Sequence, residues 1–259
     1  MRIRVPVAAT SVGLACLFVV GIAAGAAEIK VLSAVPMQQV IEDVGPKFER
    51  ATGHKLALTF AALGEVLKRI QDGESADVVV IPRPGTDSLV KDGKAAAGDV
   101  TVIARSGIAV AVRKGAPKPD ISSPEALKRT LLAAKSIAYS NPAAGGASGN
   151  HFTKVIERLG IVNEMKPKTI LAKPGDETGV LVANGQAELG VHQFQVLLSV
   201  AGIDIVGPLP GNLQDTIVFA AAIMGGAKSP EASKALVDFL RTPESAGVIK
   251  AKGMEPASR

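Results

Sequence analysis

Residues 140–151 read Ser-Asn-Pro-Ala-Ala-Gly-Gly-Ala-Ser-Gly-Asn-His and lead straight into an amphipathic helical pattern. Small residues at a strand-to-helix junction leave backbone N–H groups bare, and the helix N-terminus adds partial positive charge, so such a junction suits an anion. Several junctions of this kind occur along the chain. They nominate Leu63, Gly64, Ser148 and Gly149 as donors to a small anionic ligand. Two arginines could add charge. Arg83, between Pro82 and Pro84, follows a strand directly, and Arg105 precedes a long apolar segment. A guanidinium grips a carboxylate in bidentate fashion, although either arginine could equally be solvated or paired with an acid. Proton transfer next to carboxylates would need a positioned base. His151, at the start of a helix, and His192, at the end of a strand, could each reach a cleft, with Glu65 and Glu177 as further candidates. If the chain is an isomerase, His151 is the expected base.

Other chemistries find no support. There is no Gly-x-Ser-x-Gly elbow, and the Gly-rich loop lacks the Gly-Lys-Ser/Thr that completes a P-loop. His54, His151 and His192 show no metal-ligand spacing, so neither a metal nor a cofactor is expected. With no Trp and one Tyr there is no stacking platform for single-stranded nucleic acid, and nucleic-acid binding is not expected. The net charge of +5, to which Arg2 and Arg4 contribute two, suits an anionic ligand.

The elements that must carry these residues can be read from pattern. Arg2 and Arg4, an apolar stretch over residues 5–24 and the small residues Ala24, Gly25, Ala26 and Ala27 read as a secretory signal peptide covering residues 1–27, and so as export to the periplasm. Cys16, the single cysteine, lies inside it, which leaves the mature chain without thiol chemistry or disulfides. Beyond it, short apolar strands alternate with helical periodicity. Strands are predicted over 29–33, 55–60, 77–81, 136–139, 170–172, 188–192, 203–206 and 216–224, with one long strand or two over 100–113. Helices are predicted after Pro36, with a bend or break at Gly45-Pro46 and a stop at Gly53, and over regions carrying Val66 to Ile70, 152–159, 177–184 and 232–240. Ser123-Pro124-Glu125, Ser229-Pro230-Glu231 and Thr242-Pro243-Glu244 read as helix starts. Alternating strands and helices make the fold α/β. Ligands in open α/β sheets bind at the C-terminal ends of the strands, where the candidate residues gather.

The order of several short segments carries a resemblance. Val31-Leu32-Ser33-Ala34, Phe48-Glu49-Arg50-Ala51-Thr52-Gly53, Ala76-Asp77-Val78-Val79, Ala187-Glu188-Leu189-Gly190-Val191 and the stretch 232–256 make the chain similar to the periplasmic solute-binding proteins of ABC transporters. The molybdate-binding group, with its aconitate-isomerase-like branch, is the nearest. The resemblance implies the two-lobed type II fold, each lobe a mixed sheet flanked by helices, joined by two crossing strands. Lobe 1 would comprise residues 28–107 and 215–259, and lobe 2 residues 108–214. Such proteins close like a hinge around a solute and hand it to a permease. Oxyanion contacts in that group come from a serine after the first strand, a serine in the second loop, backbone amides and a tyrosine. Here Ser33 matches the first, Gly64 stands at the second, and His192 or Gln193 at the tyrosine, so the resemblance adds Ser33 and Gln193 to the candidate ligand contacts. Each charge-assisted hydrogen bond is worth about 1.5–3 kcal/mol, so two missing hydroxyls point away from molybdate towards an organic di- or tricarboxylate. Capture for transport, periplasmic interconversion of cis- and trans-aconitate, and sensing through a partner protein all remain compatible with these residues. The chain is expected to be a monomer.

Overall fold

The chain enters lobe 1 through β1 (Glu28–Ala34), which pairs in parallel with β2 (Lys55–Ala61) on one side and β3 (Val78–Pro82) on the other. The computed structural model describes residues 25–173 and 178–257; residues 1–24 of the segment read as a signal peptide, Cys16 among them, lie outside these, as do Pro174, Gly175, Asp176 and Glu177. All five residues of β3 are buried, as a parallel strand covered on both faces requires. Helices α1 (Gln38–Thr52), α2 (Leu63–Gln71) and α3 (Arg83–Lys91) follow these strands in turn. A 3-10 turn over Val35–Met37 precedes α1, and Gly53 ends it at φ 78°. The bend predicted at Gly45-Pro46 is no break: α1 runs through Pro46. Val40, Ile41, Val44 and Phe48 are buried on the face of α1 that meets the sheet, and Gly45 lets Leu56 approach closely.

The long apolar segment is one strand, β4 (Ala95–Arg113), longer than the pattern suggested. Its partners change half-way. Up to Gly107 it pairs with β9 (Thr216–Met224), which also runs antiparallel to β3. From Ile108 it pairs with β7 (Leu189–Gln193) and β8 (Ile203–Pro208). The second lobe continues through α4 (Pro124–Ala133), β5 (Ile137–Ser140), α5 (Ala147–Arg158), α6 (Val162–Met165), β6 (Thr169–Ala172), α7 (Thr178–Ala183) and α8 (Phe194–Leu198), in the sheet order β4-β7-β5-β6. The return crossing leads into β9, whose Thr216 pairs with Gly107 of β4. The segment before it has a 3-10 turn over Gly211–Leu213 and is tied to the first crossing by Gln214, whose amide accepts from the Ile108 N–H at 3.1 Å and donates to the Ile108 carbonyl at 2.9 Å. The chain ends with α9 (Pro230–Phe239), α10 (Pro243–Ala251) and β10 (Glu255–Pro256), which adds to β4 in lobe 1. Ser123 and Thr242 cap α4 and α10 through their side chains, as their Ser-Pro-Glu and Thr-Pro-Glu patterns predict; Ser229 makes no such bond to α9.

Candidate functional site

Three helices of nine residues or more start at one cleft between the lobes. The residues just before α2, α3 and α5 are Ala62, Pro82 and Gly146, and all three line the cleft. None of the three helices has a side-chain cap. Apart from the Gly149 N–H of α5, which Ser140 Oγ accepts, these first turns leave N–H donors and the positive end of each helix dipole at the cavity, an arrangement that favours an anion. The cavity, about 50 Å³, is lined from both lobes.

The two walls differ in chemistry. Lobe 1 contributes Ala34, Val35, Pro36, Ala62, Leu63 and Pro82, with no hydroxyl among them. Lobe 2 contributes Ser140, Asn141, Ser148, Lys173, His192 and Gln193 besides the small residues of the Gly-rich loop. Ser140 Oγ accepts from the Gly149 N–H at 2.9 Å and lies 2.9 Å from Ser148 Oγ. Whichever serine donates to the other, one hydroxyl hydrogen of the pair is left over for a ligand. Lys173 is the one cationic side chain on the wall among the described residues, and no described carboxylate joins it. His192, 2% exposed, accepts the Gln193 N–H on Nδ1 at 2.7 Å.

Of the residues nominated from sequence, Leu63, Ser148 and Gln193 line this cleft, and Gly149 and Gly64 adjoin it through Ser148 and Leu63. Ser33 does not reach it. It is fully buried behind the wall, and its hydroxyl donates to the Val80 carbonyl at 3.0 Å, because strand alternation turns it into the sheet interior. Arg83 is turned along its own helix, where Asp87 one turn on holds Nε at 2.7 Å. Arg105 lies on the first crossing, in a separate depression with Gln214, Thr216 and Glu255. His151 faces the return crossing: Nε2 is 2.8 Å from the Leu213 carbonyl oxygen and Nδ1 is 3.4 Å from Asp215 Oδ2. The histidine on the wall is His192. His54 is remote, its Nδ1 accepting from the Ala27 N–H, and Tyr139 packs edge-on against Phe152 with ring centroids 5.2 Å apart.

Sequence reasoning missed Lys173 and Ser140. Both stand at the C-terminal end of a predicted strand, which was the available signal, but Lys173 read as part of a helix lead-in and Ser140 only as the start of the loop.

Residues 29–255 match the family of bacterial extracellular solute-binding proteins. The chain belongs to this family. Among its relatives, an aconitate isomerase from a Pseudomonas species is 35% identical over 237 residues, covering 88% of this chain and 87% of that protein. The molybdate-binding protein ModA of Azotobacter vinelandii is 30% identical over 238 residues, covering 89% and 91%. The solved periplasmic molybdate-binding protein of Azotobacter vinelandii superposes with a TM-score of 0.71 at 21% identity, covering 89% of this chain and all of that one. In this solute-binding protein the three helix starts and Lys173 therefore meet in an inter-lobe cleft, and none of its described helices is long and apolar enough to cross a membrane.

Proposed function

We propose that this solute-binding protein captures a small organic di- or tricarboxylate in the periplasm and delivers it to an ABC permease. The observation that carries this reading is the asymmetry of the cleft. An inorganic tetrahedral oxyanion is polar on every side, whereas lobe 1 offers the first amides of α2 and α3 but no hydroxyl, and its wall over Ala34, Val35 and Pro36 is apolar. A carboxylate presents both characters. Its carbon skeleton would lie on that wall, with its charged end towards Ser140, Ser148, Lys173 and the first amides of α5.

A second reading, interconversion of cis- and trans-aconitate, is favoured by His192 on the wall and by the 35% identical relative. Its chemistry would ask for a group that accepts a proton from carbon and a donor that holds the developing negative charge. His192, the histidine on the wall, is the described residue to test in such a role. Capture is the leading reading on the asymmetry of the two walls.

Thermal denaturation against molybdate, tungstate, sulfate, phosphate and a series of carboxylates tests the assignment. A carboxylate at 100 times its Kd should add about 2.7 kcal/mol, which at roughly 2–4 °C per kcal/mol raises Tm by about 5–10 °C. Stabilisation by molybdate alone would sink the carboxylate reading. Incubating the chain with either aconitate isomer and following the other by NMR separates capture from turnover. Lys173→Met should weaken carboxylate binding about tenfold, towards the low end for a charge-assisted contact because Lys173 is exposed, and should flatten the salt dependence of Kd. An unchanged Kd and salt slope would remove Lys173 from the site.

A further inference from the structure

Across the mouth of the cleft, two glycines from different lobes meet backbone to backbone. Gly64 is the second residue of α2 in lobe 1; Gly145 follows the 3-10 turn Pro142–Ala144 in lobe 2. A Cβ on Gly145 would lie 2.9 Å from the Gly64 nitrogen and 3.2 Å from its Cα. One on Gly64 would lie 3.0 Å from the Ala144 carbonyl oxygen. Gly145 has φ +78° and needs glycine for its own conformation. Gly64 sits in a helix whose backbone any residue could adopt, so the neighbouring lobe alone calls for its lack of a side chain.

Neither backbone can yield easily. The start of α2 is pinned by Leu63, which packs so closely on α3 that a Cβ on Gly85 would be 2.9 Å from its Cδ1. The opposing loop is stitched by Asn141, whose side chain accepts from the Ala143 N–H at 3.0 Å and whose carbonyl accepts from Ala144 and Gly146. Leu63, Ala144 and Gly145 also line the cavity directly beneath, so the contact forms its rim.

We infer that Gly64 and Gly145 are the stop on which the lobes close, and that the missing side chain at 64 sets how far the cleft shuts and hence which anions it retains. The inference concerns the same cleft as the carboxylate reading but does not need that ligand. A side chain at 64 meets nothing while the lobes are apart and props them open when they come together. Affinity and folding should therefore respond in opposite directions to Gly64→Ala, because alanine is the better helix former.

The test uses the full chain in a Cys16→Ser background, spin-labelled at Lys68→Cys on α2 and Lys154→Cys on α5, both exposed positions. Distance distributions are recorded without ligand, with trans-aconitate and with molybdate, for Gly64 and Gly64→Ala. With Gly64 a short-distance population is expected with at least one probe. Gly64→Ala should lose that population and bind the same probe at least tenfold more weakly, while its ligand-free Tm stays the same or rises. The inference is overturned if Gly64→Ala closes to the same distance, if its ligand-free Tm falls, or if the Gly64 protein shows no short-distance population under any condition. Closure with molybdate but not with trans-aconitate would leave the stop standing and sink the carboxylate reading.

Discussion

Gly149→Ala should lower Tm by about 6–12 °C and abolish anion binding. Gly149 is the third residue of α5, and a Cβ there would fall 1.9 Å from the Ser140 carbonyl oxygen and 3.0 Å from Ser140 Oγ. The nearest of these atoms is backbone at the end of β5, so relief requires the helix to lift off the strand. Overpacking of this kind costs typically 1–3 kcal/mol. The Gly149 N–H bond to Ser140 Oγ and the Ser140–Ser148 bond it supports would go as well, at roughly 1 kcal/mol each. The sum is about 3–5 kcal/mol, and its lower end at roughly 2–4 °C per kcal/mol gives the stated range, since alanine's better helix propensity offsets part of the loss. The same displacement spoils the serine pair and the first turn of α5, which together make up the polar wall of the cleft. Gly247→Ala is the matched control. Gly247 lies in α10, where a Cβ would meet no heavy atom within 4 Å and φ is not positive, so this substitution should stabilise by about 0.5–1 kcal/mol. Parallel thermal melts of the two variants check both values; equal and small shifts would mean that the contact with Ser140 relaxes freely.

The second large effect is expected from Asp77→Ala, far from the cleft. Asp77 is 3% exposed, and its two carboxylate oxygens accept from the Lys30 N–H at 2.8 Å and the Lys228 N–H at 2.7 Å. Its own N–H donates to the Lys30 carbonyl and its carbonyl accepts from the Met224 N–H. One side chain thus ties β1 to the segment following β9, elements separated by most of the sequence. Removing it leaves two amides short of a partner, at roughly 1–3 kcal/mol each, so the loss should be about 3–5 kcal/mol, or roughly 10–15 °C in Tm. Asp77→Asn keeps one acceptor oxygen and should lose about half as much. Urea unfolding of both variants measures this, and a loss below about 1 kcal/mol for alanine would show that water replaces the carboxylate without cost.

Much of the framework was legible because it depends on local pattern. The run of apolar residues in β3 and the helical spacing of Val40, Ile41, Val44 and Phe48 are burial signals that survive without knowing the neighbour. Ser123 and Thr242 announced their helices because a cap acts on its own next turn. The reading failed where a neighbour decided. Of the bend or break expected at Gly45-Pro46, the break did not occur: α1 runs through Pro46. The segment just before β9 carried no sign that the side chain of Gln214 would tie it to Ile108. The long segment 95–113 could not be divided by periodicity, because the change of partner at Gly107 and Ile108 leaves its apolar run uninterrupted.

The site divides along the same line. Sequence by itself determined that small-residue junctions follow the strands, that helices start there, and that an anion suits them, because each follows from residue type and order along a few turns of chain. The tertiary structure alone decided which side chains face the cavity. Ser33 turned inward while Ala34, Val35 and Pro36 reached the wall; Arg83 folded back to Asp87; His151 went to the return crossing and His192 to the cleft. Those outcomes rest on strand parity, on the nearest opposite charge and on how two lobes meet. The last of these brings Gly64 against Gly145 across 81 positions of sequence that carry no local sign of it.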